Sequence, residues 1–500
     1  MRSQDTASHT QVRLPATLGI GFSGHRALTN EEKCRTLIFD FLKQRKESTP
    51  GTVYGVSSSA AGGDLLFCES CIQLDIPLSV LLPLPEREFR ADFDDASWRR
   101  VEQVLKRAAS VEVTSGSESR EECYYECGIE TVRRSRLLVA LWNGEPSQGL
   151  GGTEDIVSFA TETGKPVIWL HSVTGETRIL NEQQEQNLLR DPELEFLNGQ
   201  PDPGTYADTS TPSSLARAWF RKMDENASRH APHFRRMAAI PIVCAAAAAV
   251  CSGAGAWARN TSMWLAIGTA LGIMAAALPI ALRLKKRQVL WTRTRTAAEI
   301  CRSFLALWST PLPYAAIGPE AIPELSGMLE SLNLLKMLDR SRGEMSLDEF
   351  KRRYREERVS HQAAYFSNQA VQSAAMARTY KTVMWVCIGL ATFANAWLFA
   401  GSHGLATFSP GSWKHPLALA SSIAFQIAAV GAALLVVNDC ERRKQRYLEL
   451  RHVLEDSDAQ IERLRTWPTV LRVVDGIEKA LLTEIIEWRS MIRNRGVPKK

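Results

Sequence analysis

"RLLVALWNGEPSQGLGGTEDI", Arg136 to Ile156, is the stretch whose reading decides the fold. Its first seven residues are almost continuously apolar, as expected of a strand buried on both faces of a sheet. The loop that follows ends in two adjacent glycines and a threonine, then acidic residues that suit the first turn of a helix. A strand that feeds a glycine-rich turn into a helix is the building unit of parallel α/β sheets. Beyond the carboxyl ends of such strands, helix N-terminal amides attract anions, so the same stretch is also a candidate phosphate cradle.

The pattern extends outward from there. Between Leu18 and about Val173, strand-like runs alternate with amphipathic segments: "LGIGFSG", "TVYGVSS", "PLSVLLPL", "SVEVTS", "RLLVALW" and "KPVIWLHSV". The spacing predicts a doubly wound, Rossmann-like parallel sheet, with helix caps at residues such as Thr29 and Thr153. Two further loops of this head repeat the cradle chemistry. "GFSGHR", Gly21 to Arg26, offers glycines for close backbone approach, the Ser23 hydroxyl, His25 and the fixed charge of Arg26. "SSSAAGGDLL", Ser57 to Leu66, contributes Ser57, Ser58, Gly62, Gly63 and Asp64. A single glycine-rich turn often exists only for packing. Three on one side of a sheet point to a ligand.

At 500 residues the chain exceeds what one core organises. Its 60 basic and 55 acidic residues leave a charge of only +5, without the surplus expected of a nucleic-acid binder, so no specific nucleic-acid binding is expected. The ten cysteines form no dense framework, and the N-terminal residues lack an apolar core, which disfavours a cleaved secretion signal. Four stretches free of Lys, Arg, Asp and Glu, Met237 to Trp257, Ser262 to Leu282, Thr382 to Gly401 and Pro416 to Asn438, read as membrane spans in two hairpins. Basic clusters flank the outer ends of both hairpins, so a multi-pass protein of the inner (cytoplasmic) membrane with both termini cytosolic is expected.

The expected organisation is therefore a tail (1–17), the head (18–173), a Pro/Gly/Ser/Thr-rich linker (174–228), a first hairpin (229–290), a cytosolic helical segment (291–378), a second hairpin (379–440) and C-terminal helices (441–500). The small residues of the spans favour lateral association and hence a homo-oligomer. The few polar residues within them, Thr269, Thr392, Asn395, Ser421, Ser422 and Gln426, suit interhelical hydrogen bonds.

The head motifs, in their order, resemble the SLOG superfamily, the Rossmann-like group that includes Lonely Guy phosphoribohydrolases and DprA. The resemblance implies a nucleotide or nucleotide-derived ligand, with its phosphate near Gly151, Gly152 and Thr153 and contacts from Ser23, Gly24, Arg26, Gly62 and Gly63. It sets "LPLPEREF", Leu82 to Phe89, near the base or sugar. Lonely Guy enzymes carry a catalytic carboxylate where this chain has Ile156, and Cys127 falls near the place of their arginine. Isoleucine cannot exchange a proton or steady an oxocarbenium ion. Glu154 or Asp155, with Arg133 or Arg134, would be the residues of any hydrolysis that remains. "WTRTRTAAEICRSFLALW" and "GIEKALLTEIIEWRSMI" resemble the SLATT domain of bacterial conflict systems, which implies a membrane effector in a conflict or antiphage system.

Cys68 with Cys71, and Cys123 with Cys127, have spacings that zinc tolerates, yet they fall in helical patterns where cysteine packs as a small hydrophobe, and no metal is expected. No G-x-S-x-G elbow or Walker lysine occurs. The expectation is a sensor of a nucleotide-derived ligand coupled to a membrane-perturbing or pore-forming effector, with no cofactor. Its rivals are a tethered Lonely Guy-like phosphoribohydrolase and a membrane scaffold that recruits a protein partner.

Overall fold

The computed structural model describes residues 11–114, 119–147, 149–185, 188, 190–202, 204, 209–255, 260–284, 287–310, 322–339, 345–403 and 413–496. The chain forms two units, residues 1–222 with 301–345, and residues 223–300 with 346–500. Its elements begin with β1 (Thr17–Gly24), α1 (Glu31–Ser48), β2 (Thr52–Ser57), α2 (Gly63–Gln73), β3 (Leu78–Leu82), α3 (Glu86–Phe89), α4 (Asp95–Arg107) and β4 (Ser110–Val113). They continue with α5 (Arg120–Arg133), β5 (Leu137–Trp142), α6 (Thr153–Glu162), β6 (Val167–His171), β7 (Thr177–Leu180), α7 (Glu182–Glu185) and α8 (Pro192–Asn198). Helices α9 (Pro212–Gly255), α10 (Thr261–Leu284), α11 (Arg287–Ala306), α12 (Ser326–Leu338) and α13 (Leu347–Tyr354) follow. The last four are α14 (His361–Ser402), α15 (Lys414–Val437), α16 (Cys440–Arg463) and α17 (Trp467–Gly496).

In the first unit, the six strands expected from the apolar runs all form. The sheet order is β4-β3-β2-β1-β5-β6-β7, parallel except for β7, which pairs antiparallel with β6. Chain order reverses between β1 and β5, where Gly24 stands opposite Leu141, and at such a switch point open α/β sheets place their ligands in a crevice at the carboxyl ends. Each strand divides its side chains between two cores. Ile20, Phe22, Leu137, Val139 and Leu141 pack with Cys34, Ile38 and Leu65 on one face, while Leu138 and Ala140 pack with Val132, Ile156 and Ala160 on the other. Helix starts sit one residue from their expected caps. Asn30, not Thr29, accepts from the Lys33 amide, and Gly152 precedes Thr153, the first residue of α6.

Several pieces join this unit from outside the stretch read as the head. Strand β7 and helix α8 lie in the segment read as a linker. The Asn198 side chain of α8 accepts from the Leu14 amide and donates to the Leu14 carbonyl, both at 2.9 Å, which ties down the residues before β1. Helix α12 packs on the second face of the sheet through Leu334, beside Tyr54, Val56, Leu81 and Cys127. Arg136 at the start of β5 anchors it, 2.7 Å from Glu330 and 3.3 Å from Asp191, with all three side chains largely buried.

The second unit is helical. Here the expectation of four spans needs correction. Among the described residues two helical runs, Leu347–Gly401 and Lys414–Arg463, are long and apolar enough to cross a membrane. Among the described residues the earlier pair holds the shorter apolar helices Ile240–Gly255 and Ser262–Leu278. The two long runs are not buried core helices: only 11% and 17% of their apolar windows are enclosed, and Trp385, Leu390, Phe393, Phe399 and Val436 are exposed.

Helices α14 and α15 pack antiparallel. Ser421 donates to the Asn395 side-chain oxygen at 2.8 Å, and Gly431 faces the Tyr380 carbonyl and Met384, so small residues bring the backbones together. Ahead of α14, the residues Arg355–Ser360 form a π-helical turn. It directs Arg358 inward to a bidentate pair with Glu478 (2.9 and 2.6 Å), where Tyr354 also donates at 2.7 Å. Arg355 forms a second fork with Asp458 on α16 at 2.8 and 2.9 Å.

Candidate functional site

Three loops meet at the switch point, those after β1, β2 and β5. The first two are locked together by backbone. Gly63 donates to the His25 carbonyl at 2.9 Å, and a Cβ on Gly24 or Gly63 would come within about 3 Å of the other's Cα. Gly62 has φ +84°, and any side chain there would collide with the His25 and Arg26 carbonyls. Gly21 serves packing, since a Cβ would press on Ser135.

Asp64 sits in the first turn of α2 and fixes this junction. Its carboxylate accepts from the Gly24 amide at 2.9 Å and from the Ser58 hydroxyl at 2.5 Å. Burial pushes its carboxyl up to about 6; the hydrogen bonds from Ser58 and Gly24 and the nearby Arg26 charge hold it from rising further. Ser57 is fully buried at the end of β2. His25 spans the switch point. Its Nε2 lies 3.1 Å from the Asn143 amide and 2.9 Å from the Asn143 side-chain oxygen, so the ring ties the β1 loop to the β5 loop. Arg26 is exposed, with its guanidinium 4.4 Å above the Tyr124 ring. Tyr124 in turn donates to Asp92, and Phe89 packs against its ring, so the Leu82–Phe89 segment and the start of α5 border the same crevice. Ser23 is half-buried at the end of β1.

The β5 loop is the decisive part. Gly151 has φ +84°, a conformation that favours glycine, and Gly152 caps α6. Their amides already have a partner: the Asp155 carboxylate accepts from Gly151 at 2.9 Å and from Gly152 at 3.2 Å. A negative side chain therefore sits where a phosphate would, held by the same amides and the same helix end. Beside it the Ser147 hydroxyl is buried against Gly152, without a hydrogen-bond partner among the described residues. Thr153 is buried at the first turn, and Glu154 accepts from Ser158 at 3.3 Å.

Ile156 is 1% exposed, packed with Val132, Ala140 and Ala160 and so close to Gly128 that a Cβ there would collide with it. Its side chain points into the core and away from the crevice. Arg133 and Arg134 lie at the end of α5, where β5 begins, whereas Glu154 and Asp155 follow its end. Six strand residues at about 3.3 Å each separate the two groups, so the structure does not bring them together. Arg134 pairs instead with Glu112 and Glu130. Cys127 is buried at the α12 face, its thiol donating to the Leu81 carbonyl at 3.1 Å. Burial pushes the Cys68 and Cys127 thiols up to about 12.

Sequence reasoning missed Asn143, Ser147 and Tyr124. A search of known family models and of curated proteins finds no match to the chain.

Proposed function

We propose that the first unit is a SLOG-like receptor for a nucleotide-derived anion and that the second is a SLATT-like membrane effector that responds to it. The observation that carries the reading is the junction of three strand-to-helix loops at the sheet's switch point, with Ile156 turned into the core where a hydrolase of this type carries its carboxylate. The junction then offers Arg26, His25, Ser147 and the start of α6 for binding, while Glu154 and Asp155 stand apart from Arg133 and Arg134. The exposed apolar surfaces of α14 and α15 support insertion into an inner membrane, as an antiparallel pair with its basic flanks on the cytosolic side. Exposed small-residue faces favour a homo-oligomer, and a role in bacterial defence follows the resemblance.

A bound ligand moves such a protein only by its difference in affinity between two states. The chain crosses between the units at Lys222–Met223, Ile300–Cys301 and Met345–Ser346. The test uses the full chain in lipid nanodiscs, titrated with AMP and ADP-ribose while released base and ribose phosphate are assayed. Saturable binding without product supports the sensor. Product formation supports the hydrolase, and neither result leaves the scaffold. In dye-loaded vesicles the bound nucleotide should provoke leakage, and Gly152→Asp, which adds a second carboxylate at the cradle, should abolish it.

A further inference from the structure

The second unit holds a cavity of about 530 Å³ between α14 and α16, and its lining has a distinct chemistry. Arg378, Lys381 and Lys444 face a single carboxylate, Glu441, which pairs with Lys381 at 2.6 Å. Trp385 and Val386 complete it, 65% and 54% exposed. Packing sets its level. The contacts Ser421–Asn395 and Gly431–Tyr380 fix the antiparallel register, so the apolar run of α15 ends near where that of α14 begins. The three cations flank these two ends, and Trp385 lies one turn inside the apolar run.

We propose that this cavity binds the headgroup of an anionic phospholipid, its phosphate against Arg378 and Lys444 and an acyl chain along Trp385 and Val386. The proposal rests on the membrane reading of α14 and α15. A soluble phosphate would satisfy the cations but gains nothing from an exposed indole one turn deeper, whereas a phospholipid matches both the charge and the apolar floor. The volume suits a headgroup. Other cations of the same helix, Arg442 and Arg446, lie outside the lining and provide an internal control.

The full chain is reconstituted in phosphatidylcholine vesicles with increasing brominated phosphatidylglycerol or brominated phosphatidylcholine, and the fluorescence of Trp385 is taken as the difference from Trp385→Phe. Phosphatidylglycerol should quench Trp385 at the lower mole fraction. Each of Arg378→Gln and Lys444→Gln should reduce that preference about fivefold. Glu441→Gln should raise it, which keeps the test alive if the cation variants misfold. Equal quenching by both lipids overturns the proposal. So does an equal loss in Arg442→Gln with Arg446→Gln, which would mean general surface attraction. Displacement by soluble glycerol phosphate also overturns it in favour of a soluble ligand. Flotation separates the two readings: a chain that floats with neither vesicle type overturns the membrane reading and the lipid site together, whereas flotation with both and no preference overturns the lipid site alone.

Discussion

Asp155→Ala tests whether the amides at the start of α6 receive the ligand. The Asp155 carboxylate holds the Gly151 and Gly152 amides at 2.9 and 3.2 Å, so its removal takes away a helix cap and a favourable charge at a helix N-terminus. The cap is worth about 1 kcal/mol and the charge about 0.3–1 kcal/mol, with partial burial extending the sum toward roughly 3 kcal/mol. The ligand-free protein should melt lower by about 2–4 °C per kcal/mol. A phosphate that displaces Asp155 must break the same contacts when it binds. The variant should therefore bind AMP or ADP-ribose about five- to a hundredfold tighter by calorimetry, the opposite sign from its stability. Asp155→Asn keeps an acceptor oxygen and drops the charge, so it should recover most of the melting temperature and still bind more tightly than the parent. A variant that melts lower yet binds no better would refute the reasoning, because the amides would then be no landing place for the anion.

Ile156→Glu should not create a hydrolase. It buries an unpaired carboxylate beside Gly128 and Ala160, at a cost of several kcal/mol, and a folded variant with unchanged melting would contradict that packing. The Asp64 carboxyl, raised to about 6 by burial, holds its proton in the native state above the unfolded value of about 3.9. The stability it contributes is thus complete below pH about 4 and is lost as pH rises to about 6. Urea melts should show the parent falling relative to Asp64→Asn across that window and running parallel above it; a constant difference would exclude the shift. Arg136→Met leaves Glu330 and Asp191 without their cation at largely buried positions and should cost about 3–5 kcal/mol, read as early amide exchange of α12.

The sheet was legible because its inner strands carry apolar residues on both faces. Every run from "LGIGFSG" to "KPVIWLHSV" became a strand. Strand β7, "TRIL", escaped because it is a short edge strand, exposed at Thr177, Arg178 and Ile179. The place of helix α12 on the sheet, though not its helical character, escaped for another reason. Its leucine pattern fits any amphipathic helix, and the contact that places it, Arg136 with Glu330, spans 194 residues and leaves no local trace. The site loops were recognisable, but glycines that look alike in sequence serve different ends. Gly21 admits Ser135 and Gly62 admits the His25 and Arg26 carbonyls, while Gly151 and Gly152 present amides that a carboxylate four or three residues onward already occupies. Among the described residues the first apolar pair forms shorter apolar helices, so length separates it from the later pair.

The return of α12 to the sheet bears on biosynthesis. Tyr54, Val56 and Leu81 leave the ribosome long before Leu334, the residue that covers them, and the greasy stretches of α9 and α10 emerge in between. The part of that face formed by β2 and β3 must wait uncovered until that last helix arrives. A shortened protein ending at Lys222 would keep this apolar patch uncovered permanently and should clump, and adding residues 322–339 back as a separate peptide should restore its solubility.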